Sequence, residues 1–202
     1  MTKILVGAIS YAILICLLPA MLLFLSPLFY HGQFISNGVY DSIGEANIWQ
    51  FPLYFVGIGR LDRFTSAEAV HMGEVRVIVL MMGAVILVAT ATFAFSARNE
   101  HHATRHKNIG NALVGGGTVA IMIGAALVIA ATRFETFFTM FHETMFTSAW
   151  QFPSDSLLIT LFPEQTFVHA LIIIIITIFA VSALSIALGM RELKRDRGSG
   201  HP

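Results

Sequence analysis

Four stretches of this chain, Ile4–Leu28, Val75–Ser96, Ile109–Thr132 and Phe167–Met190, are built almost wholly from apolar residues. Each reaches the roughly 20 residues that a helix needs to cross a ~30 Å hydrocarbon core. No water is available there to satisfy backbone N–H and C=O groups, so each stretch must be an α-helix. Only 12% of the 202 residues are charged, about half the ~25% of a soluble domain. The predicted fold is therefore a membrane all-α bundle of four transmembrane helices, one membrane domain over residues 1–202. The first stretch is longer than the apolar region of a signal peptide and no small-x-small site follows it. Pro19 and Pro27 are expected to kink or end that helix instead.

The formal net charge is zero, but the charges are segregated. Arg98, Arg105 and Lys107 lie in the connection between the second and third stretches, and Arg191, Lys194, Arg195 and Arg197 lie in the tail. The segments 30–74 and 133–165 carry Asp41, Glu45, Asp62, Glu68, Glu74, Glu135, Glu143, Asp155 and Glu164 against Arg60, Arg63 and Arg133. The positive-inside bias then predicts that both termini are cytoplasmic and that the two long acidic segments are extracytoplasmic. An even number of spans agrees with this. Nothing in the charge pattern suggests a nucleic-acid partner.

The first outer segment holds Tyr30, Phe34, Tyr40, Trp49, Phe51, Tyr54, Phe55 and Phe64, far too many aromatics for a disordered linker. Its glycines divide it into short pieces, and Gln33–Ile35 and Leu53–Ile58 suit short strands or interfacial segments. The expectation is a small outer cap of short strands and interfacial helices, with aromatics at headgroup depth, built from both outer segments. Thr65-Ser66-Ala67-Glu68 reads as a capping box, so the second long helix should start near Ser66, with His71 in its second turn. Phe134, Phe137, Phe138, Phe141 and Met145 recur at helical spacing, and that helix should end near Thr147-Ser148. Pro163-Glu164 suits the start of the last long helix. Gly115, Gly116, Gly117 and Gly124 are expected to make one side of the third span small enough for close helix packing.

His31, His71, His142 and His169 are the histidines near the predicted outer face. Imidazole titrates near neutrality, which suits proton transfer at a membrane surface; a structural role at the interface is the plain alternative for each. His142-Glu143 begins like a zinc-binding H-E-x-x-H, but Phe146 occupies the second ligand position. Two histidines with Asp155 or Glu74 remain a possible metal set drawn from separate segments. His101, His102 and His106 form a basic, solvated loop on the opposite side. Cys16, the only cysteine, permits no intramolecular disulfide and reads as a packing or lipid-facing residue.

Three groups of residues taken together resemble a known family. They are His71-Met72-x-Glu74-Val75-Arg76, Phe141-His142-Glu143-x-x-Phe146, and Trp150 followed by Asp155-x-Leu157-Leu158-Ile159 and Leu161-Phe162-Pro163-Glu164. In order and separation they are similar to the lipoprotein intramolecular transacylases and their integral-membrane relatives, over nearly the whole chain. The family often has Asp where this chain has Glu74, and Thr where it has Ser154. The resemblance implies an acyltransferase of the bacterial cytoplasmic membrane, working at its outer face without a cofactor; the lack of a usual ligand spacing predicts that no transition metal is bound either. Its substrate would be a lipoprotein whose N-terminal cysteine carries a diacylglyceryl thioether, and it would move the sn-2 acyl chain to the α-amino group. His71 and His142 fall on the family's essential histidines. Glu74, Arg76, Asp155, Trp150 and Tyr54 would support or position the substrate. The partners implied are that lipoprotein and membrane lipid.

The chemistry fits the residues. An α-ammonium must lose a proton before it attacks an ester, and a neutral imidazole at His71 can take it. His142 would orient His71 or donate to the oxyanion. The two imidazoles are expected to approach each other. Two other classes stay open from the residues alone: a non-catalytic protein binding lipid or a partner, and a metal-dependent membrane hydrolase.

Overall fold

The computed structural model describes residues 2–43, 46–98 and 102–198. Within them every regular element is a helix, without a strand: α1 Thr2–Phe24, α2 Pro27–Ser36, α3 Tyr40–Ile43, α4 Ala46–Phe55, α5 Ser66–Ala97, α6 His102–Ala131, α7 Phe134–Met145, α8 Leu157–Leu161 and α9 Glu164–Gly198. Four of these, α1, α5, α6 and α9, are long and apolar enough to cross a membrane. At 1.5 Å per residue, the 32-residue α5 is about 48 Å long, well beyond the ~30 Å core. Its charged residues Glu68, Glu74 and Arg76 all precede Val77. The apolar stretch from Val77 onward is the part suited to lipid.

Local chemistry sets the ends of these helices. α1 stops at Phe24, short of the expected Leu28, because Ser26 caps the next helix and Pro27 takes its first position. The Ser26 hydroxyl accepts from the Phe29 N–H at 3.2 Å, and proline is favoured where its missing N–H has no partner to lose. Pro19 is carried inside α1. The capping box at Thr65 forms as expected: the Thr65 N–H donates to the Glu68 carboxylate at 2.8 Å, and the Glu68 N–H to the Thr65 hydroxyl at 3.4 Å.

The short strands expected in the first outer segment are absent among the described residues. Gln33–Ile35 lies within α2, and Leu53–Phe55 closes α4. A short apolar run bounded by glycine suits either state. Here the Ser26-Pro27 start drives the first run into helix, and the second belongs to a helix that ends where Gly57 adopts φ +90°.

The packing divides into two compact units. One comprises Ala20–Gly83 and Ala130–Ile172. Its core is largely aromatic: Phe34 is fully buried, Phe51 is 1% exposed, and Tyr30, Tyr54, Phe55, Met72, Leu158 and Leu161 are among the residues buried with them. Tyr30 stacks on Phe51 at 5.3 Å, and Phe162 meets Phe51 edge-on at 5.0 Å. These aromatics of the 30–64 segment face inward instead of forming a belt; Trp49, 61% exposed, is the exception. Each large side chain buried in this way contributes roughly 1.5–3 kcal/mol. The Asn37 side-chain amide donates to the Leu161 carbonyl and the Thr166 hydroxyl, tying α2 to the α8–α9 junction.

The other unit takes the described parts of Met1–Pro19, Ala84–Ile129 and Ile173–Pro202. Ile15, Ala120 and Ile178 form its core, with Cys16 and Tyr11 packed against them. The glycines of α6 serve two faces, not one. A Cβ at Gly116 would meet the Ala8 carbonyl of α1 at 2.8 Å, while one at Gly117 would meet α9 at the Ile186 side chain, 2.9 Å away. Close backbone approach on both sides explains the run of three. His106 lies 2.6 Å from the Glu192 carboxylate, joining α6 to α9. His101 lies outside the described residues, as does the side chain of His102.

Candidate functional site

The first turns of α5 and the last turn of α7 meet within the aromatic unit, and each brings one histidine. Capping at Thr65 sets the start of α5, which places His71 two turns in, 6% exposed. α7 is amphipathic, and His142 lies on its last turn beside the phenylalanine stripe, 7% exposed. The two imidazoles are stacked, with centroids 5.9 Å apart and planes 17° from parallel.

An aromatic wall surrounds the pair. Phe146 touches both rings, at 4.6 Å from His71 and 5.0 Å from His142. Phe138 lies 3.9 Å and Trp150 4.9 Å from His142. Phe152 stands edge-on to His71 at 5.6 Å. This setting disfavours charge. Burial holds both imidazoles below the ordinary histidine pKa, and His71 is pushed further down by its neighbour His142 and partly back up by the Glu74 carboxylate. The surroundings therefore favour the neutral form of both rings.

The two rings differ in their hydrogen bonds. His142 Nδ1 lies 2.8 Å from the Phe138 carbonyl oxygen. A carbonyl only accepts, so Nδ1 carries the proton, and Nε2 of the neutral ring keeps its lone pair. His71 Nδ1 is buried with no hydrogen-bond partner among the described residues. Leaving a buried polar atom unsatisfied costs about 1–3 kcal/mol, and such an atom in a native structure calls for an explanation, a catalytic role or a bound water among them.

The supporting residues divide into two groups. Glu74 follows His71 by three positions, on the same side of α5. Its carboxylate accepts from the Thr147 N–H at 3.1 Å, the Thr147 hydroxyl at 2.5 Å, the Ser148 N–H at 3.2 Å and the Ser148 hydroxyl. These bonds hold its pKa down at about 2. Trp150 contacts His142 directly. Arg76 and Tyr54 meet each other instead, the guanidinium carbon 5.3 Å from the Tyr54 ring centroid. Five positions along a helix is about 140° of rotation, so Arg76 faces away from His71. Asp155 is exposed in the turn before α8, with no hydrogen bond to either imidazole. Of the remaining histidines, His31 packs edge-on against Tyr40 and His169 is exposed beside Gln33 at 3.4 Å.

The candidate metal set does not assemble. Glu74 spends its oxygens on Thr147 and Ser148, Asp155 stands apart, and no three His, Cys, Asp or Glu side chains converge among the described residues. What the site offers is a pair of buried imidazoles against an aromatic wall, one with a fixed tautomer. Such a pair can accept a proton and donate a hydrogen bond to a developing oxyanion. The contact of Phe152 with His71 and the second role of Glu68 have no local signal in the sequence. Glu68 is 1% exposed and also accepts from the Leu158 N–H of α8 at 2.8 Å.

Comparison with known proteins agrees with this architecture. The family model described as lipoprotein intramolecular transacylase Lit matches residues 47–167. Among solved structures, the chain is similar to the in meso structure of the membrane integral lipoprotein intramolecular transacylase Lit from Bacillus cereus. The TM-score is 0.84 at 21% identity, covering 97% of this chain and 96% of that one. A histidine-to-arginine variant from the same organism matches at TM-score 0.80 and 21% identity, over 98% of this chain and 93% of that one. A histidine-to-alanine variant matches at 0.78 and 21%, over 97% and 94%. At this identity the structural likeness speaks for the fold. No curated protein matches the chain.

Proposed function

The chain belongs to the lipoprotein intramolecular transacylase Lit family, and from that premise we propose that it moves the sn-2 acyl chain of a diacylglyceryl-modified lipoprotein cysteine to the α-amino nitrogen of the same cysteine. The observation that carries the chemical reading is the stacked His71–His142 pair with His142 Nδ1 bound to the Phe138 carbonyl. That bond favours His142 as the base, a role the residues alone had assigned to His71.

The reaction is an isomerisation. The neutral amine nitrogen attacks the ester carbonyl carbon, forming an N–C bond and a tetrahedral oxyanion. His142 Nε2 takes the proton released by that nitrogen. The C–O bond to glycerol breaks, and His142 returns the proton to the glyceryl oxygen, regenerating neutral imidazole. His71, neutral throughout, donates a hydrogen bond to the oxyanion as its charge develops. Both reacting groups belong to one molecule, so the main task is to fold the substrate into an attack geometry. The dry aromatic wall strengthens each polar contact and keeps out hydrolytic water.

In this reading the site faces the outside of a bacterial cytoplasmic membrane and both termini face the cytoplasm, in line with the basic residues of the tail and of the α5–α6 connection. The test is mass spectrometry of a lipoprotein N-terminus from cells with and without the protein. Transfer of one acyl chain from glyceryl oxygen to nitrogen is expected. An unchanged lipoprotein would replace this reading with that of a non-catalytic lipid- or partner-binding protein.

A further inference from the structure

Glu68 and Glu74 bracket His71 at three positions on either side. Such spacing brings all three toward one side of a helix. Both carboxylates reach across to the same distant segment. Glu74 accepts from the N–H and hydroxyl groups of Thr147 and Ser148. Glu68 accepts from the Leu158 N–H at 2.8 Å, with Leu157 as a further backbone donor. Between these two attachments lie Trp150 and Phe152, which face His142 and His71 respectively. Apart from the first turn of α8, the segment 147–158 has no regular secondary structure to fix its course.

We propose that Glu68 and Glu74 are positioning residues of the two-histidine site, stapling both ends of the segment 147–158 to α5 and so fixing the aromatic wall against the imidazoles. Each carboxylate acts as an acceptor-only group facing several donors, a task an amide fulfils only in part. In a glutamine, one of the two oxygens becomes an NH2 group, which at position 68 confronts an N–H donor whichever way the amide is turned, and at position 74 replaces an oxygen that shares the Ser148 N–H. At position 68 the confrontation is buried, with Thr65 on one oxygen and Leu158 on the other. The staple at each end is therefore weakened even though the side-chain shape is kept. Neither residue touches the reacting atoms in this scheme; both act through Trp150, Phe152 and the rings they hold.

This inference rests on the transacylase reading only for its activity readout, and a spectroscopic readout tests it independently. The chain has two tryptophans, Trp49 and Trp150. In a Trp49→Phe background, Trp150 emission reports on His142, because an imidazolium in ring contact quenches indole fluorescence. Emission should fall as pH is lowered through the titration of His142, with a midpoint below the ordinary ~6.5. In Glu74→Gln and Glu68→Gln, this quenching should shrink or its midpoint should move back toward ~6.5. kcat for a synthetic diacylated lipopeptide should fall on the order of 10²-fold with little change in KM. Glu74→Asp, which keeps an acceptor-only group, should restore most of both signals. Should Glu68→Gln fail to fold, Glu74→Gln and a Thr147→Val/Ser148→Ala double variant carry the test from the other end of the strap. A parent-like Trp150 titration in the folded glutamine variants would overturn the proposal whatever the activity. Loss of the titration in a protein whose parent makes no lyso-lipoprotein would instead uphold the staples and overturn the transacylase reading.

Discussion

Replacing His142 with alanine removes the imidazole whose tautomer the Phe138 carbonyl fixes. Loss of a general base costs roughly 10²–10⁴ in rate, and lyso-lipoprotein formation should fall by that factor while the protein stays folded in detergent. His71→Ala should be similarly severe. The double variant should lose much less than the product of the single losses, since the two rings act as a unit. His106→Ala, whose ring is engaged with Glu192, should be near wild type in the same assay. The pH dependence follows from the same residues. Both imidazoles are held below the ordinary value by burial, so the acid limb of kcat should lie below pH ~6.5. Above pH ~6.5 the rings are neutral both folded and unfolded and contribute no pH dependence to stability. As pH falls through that value the unfolded chain takes up protons that the folded site resists, and stability drops. Glu74 adds a second loss at lower pH. Its folded pKa is about 2, against an unfolded value near 4.5, so its contribution is full above that value and vanishes as pH falls toward 2. Thermal unfolding in detergent across pH should show both windows, and the double histidine variant should lack the first.

At the scale of elements, the glycines of the helices divide into those that need their hydrogen and those that do not. A Cβ at Gly189 would lie 2.7 Å from the Gly110 carbonyl and 2.8 Å from Val114, where α9 crosses α6. Backbone cannot yield as a side-chain tip can, so Gly189→Ala should destabilise by roughly 1–3 kcal/mol, the usual range for overpacking. Gly116→Ala should behave similarly against α1. Gly32 lies within α2 and has nothing within 4 Å of an added Cβ. Gly32→Ala should leave stability unchanged or raise it by up to about 1 kcal/mol, through the lower entropy of the unfolded chain. Melting temperatures of the three variants in one detergent decide the point; equal losses at positions 32 and 189 would contradict the packing argument. The start of α5 and the start of α9 were legible locally, because Thr65-Ser66-Ala67-Glu68 and Pro163-Glu164 satisfy or remove N–H groups within one turn. α4 and the short α8 were not. Their apolar runs suit helix or strand alike, and long-range partners such as Glu68 help decide.

For the whole molecule, topology is the property most open to direct measurement. Cysteine introduced at Lys194 in a Cys16→Ala background should react only with membrane-permeant reagent, and cysteine at Trp49 with impermeant reagent added from outside. The reverse pattern would refute the orientation drawn from the basic segments. Four helices able to cross a membrane could be read from the chain because lipid imposes length and apolarity on each span independently of its neighbours. The histidines at positions 71 and 142, and a helix carrying each, could also be read locally. Tertiary structure alone decided which acid serves which purpose. Arg76 turned toward Tyr54, Asp155 stayed exposed, and Glu68, legible as a helix cap, proved to bind a second helix start ninety positions away. The physical reason is that a span or a cap is specified within a few consecutive residues, whereas a carboxylate's role depends on which donors the fold brings within about 3 Å, and those donors lie far along the chain.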